Sequence, residues 1–313
     1  MGSHVNYSIA NEYLKEANSV LYDKGKTFYW AKFFLTQNSA LQATRLYYFC
    51  RYIDDLADET PDKISAEKAL NQIIVELQYG ASENSIVSDA ISLFKESYIP
   101  VEIPIELIHG VLADLSLVRI KTEAQLIEYC YQVAGTVGLM MCKILRVERH
   151  EAFFHAVDLG IAMQLTNICR DVREDAQLDR VYLPESMIGI MKPENVLIAG
   201  GSDRTSLIHT VTILLNKADE YYASAYAGLC HLPFRSRVSI LIAAKLYQQI
   251  GTEIQREHFK GLRVKAYVPS GLKLGISIRV LLKALFDLKF WFYRTEHNPQ
   301  LHQLITKLPF CNG

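Results

Sequence analysis

Proline and glycine are both scarce in this sequence of 313 residues. There are 9 prolines and 16 glycines, and no proline occurs before Pro61 or between Pro104 and Pro184. Because proline interrupts helices, long stretches without it favour helical structure. Half of the residues are apolar and 21% are charged, a balance that excludes an intrinsically disordered chain. The composition therefore predicts a globular, mostly helical protein.

The sequence also lacks an overall excess of charge of one sign. It has 33 Lys and Arg against 34 Asp and Glu, a formal net charge of −1. Nucleic-acid-binding proteins usually carry a strong basic excess, so nucleic acid is not expected as a partner. The balance is uneven, however: residues 256–294 contain nine basic and two acidic residues. That segment carries +7 and leaves −8 for the remainder of the chain.

The six cysteines form no C-x-x-C pair, so their spacing indicates neither a disulfide framework nor a zinc site. No apolar run reaches the roughly 18 residues of a transmembrane helix, and no secretory signal follows Met1. These features predict a cytoplasmic protein. Residues 1–4 are typical of residues added for expression. Residues 5–313 are expected to form a single domain, because no linker or internal repeat divides them.

Apolar residues recur at three- and four-residue steps in several segments, which predicts helices. The pattern is clearest in 41–58 and 153–175, and the apolar segment 126–145 lies between them with two small residues, Gly135 and Gly138. These glycines predict close helix approach or a local kink. The sequence therefore predicts an all-α fold of about eight or more helices, with others at 207–229, 238–255 and 272–293 and the clearest loop at 193–204.

Two of the predicted helices carry acidic residues at four-residue spacing. Asp54 and Asp58 form one pair, and Asn167, Asp171 and Asp175 form a stripe in the other helix. Residues four apart share one helix face, about 6 Å apart along its axis, where like charges repel. A cation removes that repulsion, and Mg²⁺ prefers oxygen ligands while keeping water or substrate phosphates in its shell. Two facing pairs therefore predict a Mg²⁺ site that binds a diphosphate.

An arginine lies beside each acidic pair, Arg51 in the first helix and Arg170 in the second. Arginine suits bidentate contact with phosphate, although a salt bridge within the helix is the alternative. A single D-x-x-x-D is usually a solvated helix face. Two such pairs in apolar helices, each with an adjacent arginine, favour the metal and diphosphate interpretation.

Three segments together resemble the squalene/phytoene synthase family. They are YYFCRYIDDLAD at 47–58, YCYQVAGTVG at 129–138 and QLTNICRDVRED at 164–175, the last followed by RVYLP at 180–184. The family usually has glycine where this chain has Asp179. Bacterial phytoene synthases are similar at further segments, 220–233, 244–251 and 266–268. The resemblance implies a helical bundle of the isoprenoid synthase type with a central apolar cavity.

The resemblance also implies roles for individual residues. Tyr129 matches a tyrosine near the reacting carbons, where a phenol stabilises a carbocation or moves a proton, with core packing as the alternative. Catalytic Mg²⁺, or Mn²⁺ in its place, is implied at Asp54, Asp58, Asn167, Asp171 and Asp175. Substrate contacts are implied at Lys26, Thr27, Tyr47, Arg51, Gln164, Arg170, Tyr247 and Lys265.

The implied reaction is head-to-head condensation of two prenyl diphosphates with release of diphosphate. The favoured version joins two geranylgeranyl diphosphates through a cyclopropylcarbinyl diphosphate to give phytoene. The alternatives are C15 squalene or dehydrosqualene synthesis, and a non-catalytic relative that serves as an assembly factor. A head-to-tail elongase fits less well, because its second motif would need another aspartate doublet where Arg170 precedes Asp171. No G-x-G-x-x-G fingerprint is present, which agrees with a product that needs no NADPH.

The basic segment 256–294 provides a second functional signal. Residues 272–293 interleave Leu, Ile, Phe and Trp with basic residues, as basic amphipathic helices do. Such a helix predicts peripheral contact with the inner face of an anionic membrane, and a surface helix packed on the domain is the alternative.

Overall fold

The computed structural model describes residues 2–256, 268–286, 290–291 and 296–311. Across these residues the only sheet-like pairing is one isolated parallel bridge, between Arg119 and Val181. The all-α prediction is therefore confirmed. The fourteen helices of the described residues are α1 (Gly2–Lys24), α2 (Lys26–Lys32), α3 (Gln37–Glu59), α4 (Lys63–Tyr79), α5 (Ser85–Glu96), α6 (Glu102–Ala113), α7 (Glu123–Cys130), α8 (Thr136–Ile144), α9 (His150–Gln177), α10 (Glu185–Ile188), α11 (Pro193–Ile198), α12 (Gly201–Gly228), α13 (Phe234–Arg256) and α14 (Ser270–Phe286).

Several helices begin at residues whose side chains cap the free backbone N–H groups. Thr36 accepts a hydrogen bond from the Ser39 N–H at the start of α3, and Thr122 does the same at α7. Asp62 and Asn84 cap α4 and α5 in the same way. Such caps stabilise a helix by about 1 kcal/mol each. Local sequence therefore fixes where these helices start.

Helix α9 lies at the centre of the bundle and packs against α8, α12 and α13. Its 28 residues extend about 42 Å. Apolar side chains such as Val157, Ile161 and Leu165 are completely buried along it. Because α9 also carries the second acidic stripe, the described helix with the most buried residues is the one that positions the candidate site.

Between α7 and α8 the chain forms a single π-helical turn, Tyr131–Gly135. This turn and α8 approach α9 with backbone against backbone. A Cβ atom on Gly160 would lie 2.2 Å from the carbonyl oxygen of Ala134, and one on Gly138 would lie 2.2 Å from that of Ala156. Only glycine fits at such distances, so the prediction of close approach at Gly138 is confirmed.

The predicted loop at 193–204 was wrong, because most of this segment is helical. Pro193 occupies the first turn of α11, where its missing N–H costs nothing, and α12 begins at Gly201. Only residues 199–200 separate the two helices. The predicted helix at 272–293 corresponds to α14 as far as Phe286, and 287–289 and 292–293 lie outside the described residues.

The segment 296–311 packs back onto the core. Tyr131 donates a hydrogen bond to the carbonyl of Pro309 at 2.7 Å, and Tyr221 donates to that of Leu301 at 2.9 Å. All six cysteines are free, four of them buried. Within the described parts of the chain, no helix is long and apolar enough to cross a membrane.

Candidate active site

Helices α3 and α9 bring the two predicted acidic pairs into one polar pocket of about 270 Å³. Asp54 and Asp58 come from α3, and Asp171 and Asp175 come from α9. A fifth carboxylate, Asp114, follows α6 and lines the same pocket. The structure therefore gathers residues more than 100 positions apart in the sequence into a single anionic site.

A largely apolar cavity of about 330 Å³ adjoins this pocket. Four residues line both compartments and form their common boundary: Asp54, Val133, Gln164 and Asn167. Along α9 the cavity wall continues from Asn167 to His155, a distance of about 18 Å along the helix axis. A ligand with a charged head and a long hydrocarbon tail would fit across this boundary.

Two carboxylates of the pocket, Asp54 and Asp175, are shielded from bulk water and crowded by other carboxylates. Burial and the neighbouring carboxylates Asp58 and Asp114 raise the pKa of Asp54 to about 7. Burial and Asp171 raise the pKa of Asp175 to about 8. The side-chain oxygen of Asn167 is buried without a hydrogen-bond partner. Several carboxylates and an unpaired carbonyl oxygen match the ligand chemistry of a hard divalent cation.

Three arginines of the pocket are held by carboxylates. Arg51 pairs with Asp55 on the same helix, and Arg170 binds its neighbour Asp171 through Nε and Nη2 at 2.8 and 2.5 Å. The salt bridges that the sequence left as an alternative are thus present. Arg51 and Arg170 still line the pocket, where a diphosphate would compete with the carboxylates for their N–H groups.

Arg180 is the third of these arginines and joins the two ends of the site. Its Nη1 donates to Asp58 Oδ1 at 2.8 Å, which ties the loop after α9 to α3. The preceding residue, Asp179, has φ +59°, the left-handed conformation that glycine adopts most easily. Arg119 holds this residue through its carboxylate and its carbonyl, at 2.7 Å each. The turn thus forms without the family's usual glycine.

Asp114 organises two tyrosines at the side of the pocket. Tyr129 Oη donates to Asp114 Oδ2 at 2.9 Å, and Tyr182 Oη donates to Oδ1 at 2.8 Å. The two rings stack with centroids 4.9 Å apart. Burial raises the pKa of Tyr129, so its phenol stays neutral. Sequence reasoning assigned no role to Asp114, because a lone aspartate after a helix carries no spacing signal.

The predicted substrate residues lie in different places, with Arg51 and Arg170 in the carboxylate pocket. Tyr47, Gln164 and Tyr247 line the apolar cavity. Lys26 and Thr27 line neither compartment; they begin α2 beside Gly25, whose Cβ would lie 2.7 Å from the Tyr47 ring. The remaining predicted contact, Lys265, lies outside the described residues.

Comparison with known proteins shows the family to which this sequence and fold belong. The family model for squalene/phytoene synthase matches residues 21–271. The phytoene synthase of Rhodobacter capsulatus is 32% identical over 77% of this chain and 73% of its own length. The 15-cis-phytoene synthase of Enterobacter agglomerans is 34% identical over 67% of this chain and 75% of its own length.

The solved structure of a dehydrosqualene synthase in complex with ligand superimposes with a TM-score of 0.78 at 26% identity. The alignment covers 88% of this chain and 98% of that chain. Sequence, fold and site geometry therefore agree: the chain belongs to the squalene/phytoene synthase family of prenyltransferases, whose reaction is the head-to-head condensation of prenyl diphosphates.

Proposed function

We propose that this protein condenses two geranylgeranyl diphosphates to phytoene in a Mg²⁺-dependent reaction. The observation that carries the proposal is the shared boundary between the carboxylate pocket and the apolar cavity. It would place the diphosphate of a prenyl substrate among charged groups while its hydrocarbon chain lies in the cavity. The C40 product is favoured because several relatives at about 30% identity are named phytoene synthases.

Asp54, Asp58, Asn167, Asp171 and Asp175 would hold the Mg²⁺, which when bound neutralises charge on a diphosphate leaving group. Arg51, Arg170 and Arg180 would bind the diphosphate oxygens as they exchange their present carboxylate partners. Departure of the first diphosphate leaves an allylic cation at the boundary. The double bond of the second substrate then attacks it and, with loss of a proton, gives a cyclopropylcarbinyl diphosphate.

The second diphosphate departs from the same pocket, and rearrangement with proton loss gives the linear hydrocarbon. The apolar walls exclude water that would otherwise trap these cations. The Tyr129 hydroxyl donates a hydrogen bond to Asp114 and stays neutral, so its role here is to stabilise positive charge rather than to remove a proton. Asp114 fixes the position of that phenol.

Product analysis tests the proposal directly. The protein is incubated with Mg²⁺ and either farnesyl or geranylgeranyl diphosphate, and the extracted products are identified by mass. We expect a C40 hydrocarbon from geranylgeranyl diphosphate. A C30 product from farnesyl diphosphate alone would favour the dehydrosqualene alternative, which the 26% identical solved structure supports. Absence of any hydrocarbon and of the cyclopropyl intermediate would refute a synthase and favour an assembly factor.

The raised pKa values in the pocket predict a pH-dependent affinity for Mg²⁺. Asp54 and Asp175 titrate near 7 and 8, so both are largely protonated at pH 6 and ionised at pH 9. A cation must displace those protons at the lower pH. We expect the Mg²⁺ dissociation constant to fall at least about tenfold between pH 6 and pH 9, with proton release at pH 7. Calorimetry in two buffers of different ionisation enthalpy measures the dissociation constant and the number of protons released. Equal Mg²⁺ affinity at pH 6 and pH 9 would contradict the assignment of Asp54 and Asp175 as metal ligands.

We also propose that α14 binds an anionic membrane surface. Its inner face packs against the bundle, where Ser277 accepts a hydrogen bond from the Trp30 indole at 2.9 Å. Its outer face exposes a continuous apolar stripe at helical spacing, with Arg279 and Lys283 also exposed. This pattern favours an anionic bilayer, into which a hydrocarbon product could pass. The exposed large apolar residues of α14 are Leu272, Leu274, Ile278, Leu281, Leu282, Leu285 and Phe286.

Cosedimentation with vesicles tests the role of that stripe. We expect the double variant Leu282→Glu, Leu285→Glu to have a partition coefficient at least about tenfold lower on vesicles that contain phosphatidylglycerol. The reason is that two apolar contacts with the bilayer are lost. Ile64→Glu, an equally exposed residue on α4, is the matched control and should bind normally. The proposal would be contradicted if all three proteins bound equally well. It would also be contradicted if the wild type bound purely zwitterionic vesicles as well as vesicles that contain phosphatidylglycerol.

A further inference from the structure

A second cluster of ionisable side chains lies away from the carboxylate pocket, around Asp158 of α9. This aspartate is 0% exposed and precedes Asn167 by nine residues, about 14 Å along the helix axis. His297 Nε2 lies 2.9 Å from Asp158 Oδ2, and His302 Nε2 lies 2.8 Å from Oδ1. Two imidazole nitrogens and a carboxylate thus converge within 4.8 Å of one another. We propose that Asp158, His297 and His302 form a binding site for a divalent transition-metal ion such as Zn²⁺.

The charge of the buried carboxylate supports a cation at this position. Asp158 is completely buried, and His297 and His302 lie within hydrogen-bond distance of its two oxygens. Its ion-pair partners in the described parts of the chain are those two histidines, and neither lysine nor arginine is among them. The balancing charge must come from a protonated imidazole or from a bound cation. A metal ion supplies it while both imidazoles stay neutral, the form in which histidine is a ligand.

A neighbouring serine orients the carboxylate of this site. Ser224 Oγ donates to Asp158 Oδ2 at 2.5 Å and also contacts His155 Nδ1 at 3.0 Å, so the carboxylate is fixed in orientation. A site with three protein ligands takes water as the fourth.

The ligand set separates this site chemically from the carboxylate pocket. Mg²⁺ and Ca²⁺ prefer all-oxygen ligands, whereas two imidazoles with a carboxylate favour Zn²⁺, Co²⁺, Ni²⁺ or Cu²⁺. Its position indicates a structural role. The ligands join α9 to the segment 296–311 across 139 and 144 residues of sequence. A metal ion that binds only the folded chain would stabilise the packing of this segment against α9.

Titration of the metal-free, full-length protein with Co²⁺ tests the inference. We expect one equivalent to give the intense visible bands of tetrahedral Co²⁺, and one equivalent of Zn²⁺ to abolish them and raise the Tm by about 5 °C. His297→Gln and His302→Gln should lose the bands. His209→Gln, an exposed histidine on α12, is the matched control and should keep them. Asp171→Asn should also keep them, because the carboxylate pocket is a different site.

The wild-type titration decides the question even where a variant fails to fold. Absence of tetrahedral Co²⁺ bands in the wild-type protein would overturn the inference and leave the cluster as a hydrogen-bonded contact between α9 and the C-terminal segment. Retention of the bands in both His297→Gln and His302→Gln would overturn it as well. Neither outcome depends on prenyl diphosphate turnover, so failure of the proposed function would not affect the result.

Discussion

Replacing Asp171 with asparagine should lower kcat/KM for head-to-head condensation by at least about 10²-fold. The side chain keeps its size, but the pocket loses one of the carboxylates that would hold Mg²⁺. It also loses the anion that binds Arg170 through two nitrogens at 2.8 and 2.5 Å. Loss of the metal ligand weakens the stabilisation of the departing diphosphate, and loss of the ion pair removes the group that orients Arg170. Hydrocarbon formation from a radiolabelled prenyl diphosphate measures the effect, and far-UV circular dichroism should be unchanged.

Asp203→Asn provides the matched control for this variant, because it makes the same change at an exposed position in the first turn of α12. It should retain wild-type turnover. Raising the Mg²⁺ concentration should recover part of the activity of Asp171→Asn and leave the activity of the control unchanged. Near-normal turnover of Asp171→Asn at ordinary Mg²⁺ would exclude the carboxylate pocket as the site of ionisation.

Replacing Gly160 with alanine should lower the free energy of unfolding by about 3 kcal/mol or more. The added methyl group would lie 2.2 Å from the Ala134 carbonyl oxygen and 2.6 Å from the Gly135 nitrogen. Both neighbours are backbone atoms of the π-helical turn, so no side-chain rotation can relieve the overlap. The turn must move away from α9, and the packing between them is lost.

Thermal unfolding measures the destabilisation, which should appear as a Tm lower by roughly 6 °C or more. Gly275→Ala, within α14, is the matched control because its Cβ would meet no atom within 4 Å. It should leave the Tm unchanged or raise it slightly, since alanine favours a helix over glycine by about 1 kcal/mol. A Gly160→Ala protein as stable as the control would show that α9 and the turn are not in fixed contact.

The features that sequence reasoning predicted correctly are those encoded over short distances. Apolar periodicity identified α3 and α9, and the four-residue spacing placed Asp54 with Asp58 and Asp171 with Asp175 on common faces. The wrong loop at 193–204 has a similarly local cause. Its proline and paired glycines are typical of loops, yet Pro193 is equally suited to begin α11, and Gly200 and Gly201 lie at the start of α12. Composition does not distinguish these two uses.

Features that depend on distant contacts left no such signal. Arg180 reaches Asp58 across 122 residues, and Asp114 joins Tyr129 to Tyr182 across 15 and 68 residues. The π-helical turn at Tyr131–Gly135 had only the glycine signal, which predicted a kink or a close approach but not the type of turn. Family resemblance directed attention to Tyr129, but only the fold reveals the carboxylate that holds its hydroxyl.

The glycine contacts between α9 and the π-helical turn also determine which part of the cavity can be redesigned. That wall is backbone against backbone, so a larger residue there displaces a helix before it changes the shape of the cavity. The opposite wall consists of side chains from α2, α3 and α13, among them Phe28, Ala43 and Ala243. Substitution of those three residues by larger or smaller ones offers a practical route to an enzyme for shorter or longer prenyl chains.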